Sequence, residues 1–310
     1  MLHMDKLKKL GVGINYQPEF HSLIQHNLDA IDYIEASPDL LCEEVIINNY
    51  RQFRYNSTKL NMLLSLQEQM PIVVHGLGLS IGSASGWNEH YLAMLDQFRA
   101  RVSFIWHSEH LGFTLIKDNN NKETHAGLLL PMIFTEEALD LLCPRINALC
   151  ERYPVPFLIE NTTYYLPGYS RFRWDEVEFL NKILSHTECG LLLDIYNFYC
   201  NAVNFGFDPI EALEKLQLDR VVEIHVAGGI NHNGFMLDVH SNKVPDEVWT
   251  LLEWILPRTP NLCAITYEIL EQALPLIGEK NVVQEIAHCR HLWDKYSCAT
   301  QCIGTHDVAA

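Results

Sequence analysis

The chain has 310 residues, 48% of them hydrophobic and 20% charged, so it can bury a large core. One α/β barrel of ~250 residues with insertions would use nearly all of it. The 22 Lys and Arg against 39 Asp and Glu give a formal charge of −17, which argues against nucleic acid and anionic membranes as partners.

Eight short apolar runs recur along the chain and predict buried β-strands. They cover residues 11–15, 31–35, 72–75, 102–106, 157–160, 191–194, 221–225 and 264–268. Apolar residues at helical spacing fill residues 21–30, 53–69, 88–101, 135–153, 174–185, 209–216, 246–256 and 281–296. Thr135 is the expected N-cap of its helix, with Glu136 and Glu137 in the first turn.

This alternation of strand and helix predicts parallel βα units closed into one (β/α)8 TIM barrel. We expect a single domain over residues 1–297 and a polar C-terminal tail over residues 298–310. The glycines from Gly76 to Gly82 lack the G-x-G-x-x-G spacing, which argues against a dinucleotide-binding fold. Residues 125–130 are expected to form a hairpin arm or lid over the barrel mouth.

The N-terminus and the cysteines indicate the compartment. No apolar run long enough for a signal peptide or a membrane span follows the basic cluster at Lys6, Lys8 and Lys9, so we expect a cytoplasmic protein. Nine cysteines at irregular spacing predict mostly buried free thiols. Cys298 and Cys302 are four residues apart, so they could form a redox pair or a weak metal-binding site, although a structural role is favoured.

Polar side chains stand at the carboxyl ends of all eight predicted strands, where barrel enzymes carry their chemistry. Beyond the strand that ends at His225, Asp238 and His240 are two residues apart in a segment whose extended alternation would point both to one side. The strand-end residues are Asn15, Glu35, His75, Glu109 with His110, Glu160 with Asn161, Asp194, His225 and Glu268.

Several carboxylates in one apolar tube repel each other, and each costs several kcal/mol to desolvate unless a cation compensates. Imidazole and carboxylate ligands without cysteine suit Fe, Mn or Zn. Eight side chains exceed the four to six ligands of one ion, so they predict two or three metal ions bridged by carboxylate. These candidate ligands are His75, His110, Glu160, Asp194, His225, Asp238, His240 and Glu268.

Ordered motifs from residue 11 to about residue 268 resemble the multinuclear non-haem iron-dependent oxidative enzymes, to which the methanobactin-biosynthesis oxidase belongs. The resemblance implies a TIM barrel of the xylose-isomerase-like type with two or three irons, which uses O₂ to modify cysteine or another residue of ribosomally made peptides. The motifs are HGLGLSIGS (75–83), SEHL (108–111), IEN (159–161), LLDIYN (192–197), NAVN (201–204), EIHVAG (223–228), DVH (238–240) and VPDEVW (244–249).

The resemblance also implies a division of the ligands among the irons. His75, His110 and Glu160 would hold one iron. Asp194, His225 and Glu268 would hold a second, with Glu160 bridging. Asp238 and His240 would form a third site, whose remaining ligand is Asn197. Because an amide oxygen binds more weakly than the imidazole found there in some relatives, this site is expected to be labile.

The same resemblance implies roles for several residues and identifies positions where this chain differs from many relatives. Glu160, Asp194 and His225 are the expected catalytic residues. Glu35 and Asn161 are expected to contribute to cofactor binding. Many relatives carry Asn, His and His where this chain has Tyr196, Phe205 and Gly229, which affects the expected substrate pocket more than the metals.

The implied mechanism uses an Fe(II)/Fe(III) pair, with a substrate cysteine thiolate at the ferric ion and O₂, the co-substrate, at the ferrous ion. The acidic chain would attract a precursor peptide with a basic leader, and Tyr164, Tyr165 and Tyr169 are candidates to grip it or simply to pack. A partner protein that presents the leader is common in the family.

Two other functions remain open from the sequence. Apurinic-site endonucleases use a similar ligand order for three zinc ions, so a zinc-dependent phosphodiester hydrolase is the main alternative, although few Lys or Arg lie near the strand ends. A non-catalytic metal-binding partner protein is the other. Sugar isomerases of this barrel type use a strand-end lysine that this chain lacks.

Overall fold

The computed structural model describes residues 7–47, 50–117, 123–166 and 172–303. Predictions on Tyr169 and on the side chains of Cys298 and Cys302 lie outside the described residues. The strands are β1 (Gly11–Tyr16), β2 (Tyr33–Ala36), β3 (Cys42–Ile47), β4 (Tyr50–Tyr55), β5 (Ile72–Gly76), β6 (His107–His110), β7 (Gly112–Lys117), β8 (Glu123–Pro131), β9 (Phe157–Glu160), β10 (Gly190–Asp194), β11 (Val221–Val226), β12 (Ile230–His232), β13 (Phe235–Leu237) and β14 (Ala264–Tyr267).

Helices follow most of the barrel strands and cover the outside of the sheet. Thr135 caps its helix as predicted, since its side chain accepts a hydrogen bond from the backbone N–H of Ala138. The helices are α1 (His21–His26), α2 (Ser57–Gln67), α3 (Glu89–Arg99), α4 (Glu136–Arg152), α5 (Glu176–His186), α6 (Ile195–Phe205), α7 (Pro209–Leu213), α8 (Asp246–Ile255), α9 (Leu274–Ile277) and α10 (Glu279–Ile303). In the part of the chain that is described, no helix has the length and apolarity needed to cross a membrane.

Eight of the described strands pair in parallel and close into a barrel in the order β1-β14-β11-β10-β9-β6-β5-β2. The predicted (β/α)8 barrel is therefore confirmed. Three antiparallel hairpins, β3–β4, β7–β8 and β12–β13, directly follow barrel strands β2, β6 and β11. They consequently lie on the mouth face, and the second of them contains the hairpin arm expected at residues 125–130.

Strand alternation explains why polar side chains meet at the mouth. Val73, Leu158 and Leu192 belong to one buried apolar cluster inside the barrel. Two residues later on the same faces stand His75, Glu160 and Asp194. The lower layer of the barrel therefore excludes water while the next layer carries the candidate ligands.

The predicted fourth strand at residues 102–106 was wrong in position, since β6 is the polar segment His107–His110. Phe104 and Trp106 are buried as expected, but in the segment that leads into the strand. Polar residues can form this strand because His107 and Glu109, on the side of the strand away from the barrel interior, pair with each other at 3.2 Å. Apolar periodicity cannot detect such a strand.

Two helix predictions also need correction. The helix predicted at residues 53–69 begins at Ser57, because residues before it pair with β3 as strand β4 and Asn56 caps the helix. The last helix, predicted to end at residue 296, continues to Ile303 and so into the expected polar tail. Helix α6 was missed, although Asp194 caps its start by accepting from the N–H of Asn197.

The described cysteines agree with the prediction of free thiols. Cys189, Cys200, Cys263 and Cys289 are buried, and the three other described cysteines are half-buried without a disulfide. Burial raises the pKa of the Cys189 thiol to about 11. Such thiols are unreactive at neutral pH and pack as small apolar groups.

Candidate metal centre

A cavity of about 320 Å³ opens at the carboxyl ends of the barrel strands. Its floor and walls contain His75, His110, Glu160, His240 and Glu268. His225 and Asp194 are fully buried, with ligand atoms within 4.8 Å of one of Glu160. The structure thus brings residues from the ends of six barrel strands and from the loop after β13 to one place.

The first group of ligand atoms joins strands β5, β6 and β9. The Nε2 atoms of His75 and His110 lie 3.3 Å and 3.2 Å from Oε2 of Glu160. Ser108 donates its hydroxyl proton to the carbonyl of Val74, so its oxygen accepts from Nδ1–H of His75. The Nε2 of His75 therefore carries a lone pair.

The same logic fixes the tautomer of His110. Its Nδ1 lies 3.3 Å from the carbonyl oxygen of Gly76, which can only accept, so Nδ1 carries the proton. Burial lowers the pKa of His110 to about 4, and burial together with the neighbouring His110 and His225 lowers that of His75 well below its usual range. Both imidazoles are therefore neutral and direct lone pairs at the Glu160 carboxyl group.

The second group is centred on His225, at the end of β11. Its Nδ1 lies 3.1 Å from Oε2 of Glu268 and 3.7 Å from Oε1 of Glu160. Its Nε2 donates to Oε2 of Glu35 at 2.9 Å. Nδ1 of His225 is consequently the nitrogen that faces Glu160 and Asp194, whose ligand atoms all lie within 4.8 Å of one another.

Carboxylates surround His225 on both sides and reverse the direction of its pKa shift. Burial lowers the pKa, but the charges of Glu268 and Glu35 outweigh burial and raise it well above its usual range. Burial raises the pKa of Glu35 to about 8 and that of Asp194 to about 7, and it raises that of Glu160 well above its usual range. Without a metal ion this half of the site holds protons at neutral pH.

The third group contains Asp194, His240 and Glu268, with ligand atoms within 4.8 Å of one another. Nδ1 of His240 lies 3.5 Å from Oε2 of Glu268, and its Nε2 lies 2.7 Å from Oδ1 of Asp238. The expected extended alternation from Asp238 to His240 was wrong, because β13 ends before Asp238 and His240 has a positive φ of 39°. The two side chains nevertheless meet, through a bend rather than along one strand face.

Asn197 and Asn161 differ in how their amides are used. Asn161 bonds both ends of its amide to the backbone of Asp194, at 2.9 Å and 3.0 Å, so its visible role is to position that ligand. Asn197 donates to the carbonyl of Asn161, and its Oδ1 has no partner among the described residues. The position predicted to complete the third site therefore offers a free acceptor.

Buried acceptors without hydrogen bonds concentrate in this site. A buried polar atom without a partner is costly, and each calls for an explanation such as an unseen ion. A cation contacts several such lone pairs at once, so the donor set of imidazole nitrogens and carboxylate oxygens fits iron, manganese or zinc. Within the described ranges, the unpaired acceptors here are Oε2 of Glu160, Oδ2 of Asp194 and Oδ1 of Asn197. Nδ1 of His225 and Nε2 of His240 have only carboxylate oxygens beside them, those of Glu268 and Asp238.

Sequence reasoning missed the roles of several residues that support the ligands. Ser108 orients His75, and the Tyr165 hydroxyl accepts from the backbone N–H of Asp238. Glu223 lies 3.8 Å from Nε2 of His225 and accepts hydrogen bonds from Trp106 and Thr266. Ser108 and Glu223 each stand two residues before a predicted ligand, so strand alternation would have identified both.

Two of the departures from the expected motifs compensate each other. The Tyr196 hydroxyl donates to the carbonyl of Leu237. It also occupies the space that a Cβ atom at Gly229 would take. Phe205 lies apart from them at the end of α6, where its ring packs 4.7 Å from that of Tyr164.

Comparison with known proteins identifies relatives of the whole barrel. The family described as RiPP precursor modification enzyme MbnB/TglH/ChrH matches residues 11–293. A UPF0276 protein of Caulobacter vibrioides is 32% identical over 243 residues, 78% of this chain and 80% of that protein. A UPF0276 protein of Rhizorhabdus wittichii is 37% identical over 230 residues, 74% of this chain and 80% of that protein.

Solved structures share the fold at low sequence identity. Endonuclease IV from Thermus thermophilus matches with a TM-score of 0.57 at 15% identity, covering 92% of this chain and 99% of its own. D-psicose 3-epimerase matches with a TM-score of 0.52 at 10% identity, covering 92% and 97%. These similarities concern the fold alone, and they agree with the predicted xylose-isomerase-like TIM barrel.

Proposed function

This chain belongs to the RiPP precursor modification enzyme family MbnB/TglH/ChrH, and from that premise we propose that it oxidises a residue of a ribosomally made precursor peptide. Cysteine is the proposed residue, iron the proposed metal and O₂ the proposed oxidant. The observation that carries the proposal is the convergence of neutral imidazoles and unpaired carboxylate oxygens in the barrel mouth.

The groups in the mouth divide naturally among two or three ions. His75, His110 and Glu160 would hold one iron. Asp194, His225 and Glu268 would hold a second, with Glu160 shared between the two. His240, with Asp238 and Asn197 beside it, would hold the third. Bound iron would supply the redox chemistry with O₂ and would lower the pKa of a substrate thiol that it contacts.

The chain's own residues prepare the site for that chemistry. Glu35 holds the proton on Nε2 of His225, so that Nδ1 stays available. Asn161 fixes the backbone of Asp194, and Ser108 fixes the ring of His75. The apolar layer at Val73, Leu158 and Leu192 excludes water from below.

The charge of the chain favours a basic peptide as the substrate. A formal charge of −17 attracts a cationic leader over a Debye length of ~8 Å at physiological ionic strength. Glu19 and Glu271 line the cavity, and Lys59 is the only lysine or arginine in its lining, among the residues described. A partner protein that presents the leader remains part of the proposal.

The test is anaerobic reconstitution of the chain with Fe(II), followed by metal analysis and exposure to O₂ with a peptide encoded beside the gene. A short reading frame that ends in cysteines is the first choice of peptide. We expect two or three irons per chain, peptide-dependent O₂ uptake and a changed peptide mass. Glu247→Gln, at an exposed carboxylate of α8, is the matched control and should behave like the wild type.

Two outcomes would contradict the proposal. Full zinc occupancy without O₂ uptake, together with nicking of abasic duplex DNA when zinc is restored, would favour the phosphodiester hydrolase. Unchanged activity of His225→Ala would favour a non-catalytic metal-binding partner. The likeness to endonuclease IV does not favour hydrolysis by itself, because it extends only to the fold.

A further inference from the structure

A second cavity lies outside the barrel, between helices α5, α6 and α7. Its volume is about 240 Å³, below the ~300–1,000 Å³ typical of sites for drug-sized ligands. The space therefore suits a group the size of one amino-acid side chain. It is separate from the metal centre, since none of the candidate metal ligands lines it.

One wall of this cavity carries a buried carboxyl group with an unused oxygen. Glu176, at the start of α5, is 5% exposed. Its Oε2 accepts a hydrogen bond from Nδ2 of Asn201, and the side chains of Tyr164 and Asn161 lie close enough to lower its pKa. No donor among the described residues makes a well-aligned hydrogen bond to its Oε1. Burial raises the pKa of Glu176 to about 8. A buried carboxyl group with a free oxygen is costly unless a donor reaches it.

The remaining walls are mostly aromatic. The ring of Tyr164 lies 4.7 Å from that of Phe205 and 5.8 Å from that of Phe134, and the rings of Phe198 and Phe207 lie 5.7 Å apart. Aromatic faces attract cations and also cover the apolar stem that carries them.

The charged residues at the cavity have a negative balance. Asp175, Asp208 and Glu211 line it together with a single lysine, Lys215. Asp175 and Asp208 have structural roles, because they cap α5 and α7. Neither cap explains the free oxygen of Glu176.

We propose that this cavity binds a guanidinium or ammonium group on an apolar stem, with Glu176 as its counter-ion and the aromatic rings around its stem. The chemistry matches the side chain of an arginine or lysine in a peptide. It equally matches a free amine such as agmatine. The inference does not depend on iron or O₂ at the metal centre.

Hydrogen bonds connect this cavity to the metal centre. Asn201 donates to the carbonyl of Thr162 and accepts from the N–H of Tyr164, so it joins Glu176 to the segment after β9. That segment begins with Asn161, which holds Asp194. Asn201 also lies one turn after Asn197 on α6. A cation in the cavity would therefore order the elements that carry two residues of the metal centre.

Calorimetric titration of the full chain, as purified with its metals, tests the proposal. The probes are agmatine, the peptide Gly-Arg-Gly and the same peptide with neutral citrulline in place of arginine. We expect agmatine or the arginine peptide to bind at least ~10-fold more tightly than the citrulline peptide, as expected for a buried charge pair. Binding of agmatine alone would assign a free amine, and binding of both would assign a peptide side chain.

Substitutions test whether the probes bind in this cavity. Glu176→Gln keeps the volume and removes the group that can ionise beside a bound cation, so it should abolish the preference for the cation while metal content stays unchanged. Phe205→Leu should weaken both cationic probes. Glu178→Gln, at an exposed residue of the same helix, should have no effect. Equal binding of all three probes, or unchanged binding in Glu176→Gln, would overturn the proposal.

Discussion

The metal centre has two halves, one with His75 and His110 and the other with His225 and His240. The pKa values of the histidines are shifted in opposite directions in the two halves. His75 and His110 contact a hydroxyl and a backbone carbonyl through Nδ1, and their pKa values are lowered. His225 and His240 have carboxylates near both ring nitrogens, and their pKa values are raised, that of His240 to about 10.

The difference indicates which imidazoles can bind a metal ion without first releasing a proton. The His75 half offers neutral imidazoles, so an ion meets ready lone pairs. The His225 half must first release protons, because a proton and a metal compete for the same nitrogen. We therefore expect the His75 half to fill first as pH rises, and the His225 half to gain affinity more steeply with pH.

The largest expected effect comes from Glu160, the carboxylate common to both halves. Glu160→Gln keeps the shape but cannot bridge two cations, so metal content should fall in both halves. Peptide oxidation should fall by more than the ~100-fold that loss of an outer partner can cost. Metal analysis and turnover measure this, with Glu247→Gln as the control. A full metal complement in Glu160→Gln would show that the halves do not share this ligand.

Proton release on metal binding tests the electrostatic difference directly. Near pH 7, His225 and His240 are protonated because their pKa values are raised, so they should release protons when metal binds. His75 and His110 are already neutral because their pKa values are lowered, so they should release none. Calorimetry in two buffers with different ionisation enthalpies measures the number. His225→Ala should reduce it and His75→Ala should not. Equal reductions in both variants would contradict the comparison.

The residues that hydrogen-bond the metal ligands should contribute differently to metal affinity in the two halves. Glu35→Gln should lower metal affinity at His225 by ~10–100-fold, because a carboxylate partner raises the basicity of the ligating imidazole. Ser108→Ala should cost less at His75, because a hydroxyl only orients the ring. Competition with a chelator measures both affinities in proteins of equal thermal stability. A larger loss in Ser108→Ala would reverse this ranking.

The smallest effect is expected at the third site. Asn197→His replaces an amide oxygen by an imidazole and should raise occupancy there by a few-fold, since imidazole is the stronger ligand for iron and zinc. Metal content after dialysis measures the change. We expect the metal content of the other sites to stay unchanged. An unchanged third occupancy would mean that position 197 does not contact the ion.

Much of the barrel was predictable because strands β9 and β10 are apolar on both faces up to a polar last residue. Glu160 and Asp194 end such runs, and His75 follows another in β5. Strand β6 was misplaced because it consists of the polar residues His107, Ser108, Glu109 and His110, which pair with one another and with residues of strand β5. Local periodicity contains no information on those partners.

The residues that form the candidate site were predictable, but the orientation of their side chains was not. Strand ends indicate which residues meet, yet not which ring nitrogen faces inward. That depends on Ser108 for His75 and on Glu35 for His225, contacts between strands distant in sequence. The bend at His240 was equally hidden, because a non-glycine residue with a positive φ gives no clear sequence signal.

The fit between Tyr196 and Gly229 has a consequence for how relatives of this protein diverge. Any side chain at position 229 would collide with the Tyr196 hydroxyl and with the backbone carbonyl of Leu237. A histidine cannot therefore appear at 229 until the tyrosine has gone and the β12–β13 hairpin has shifted. We therefore expect positions 196 and 229 to be epistatic, so that an exchange of these residues between relatives must replace both together with the hairpin.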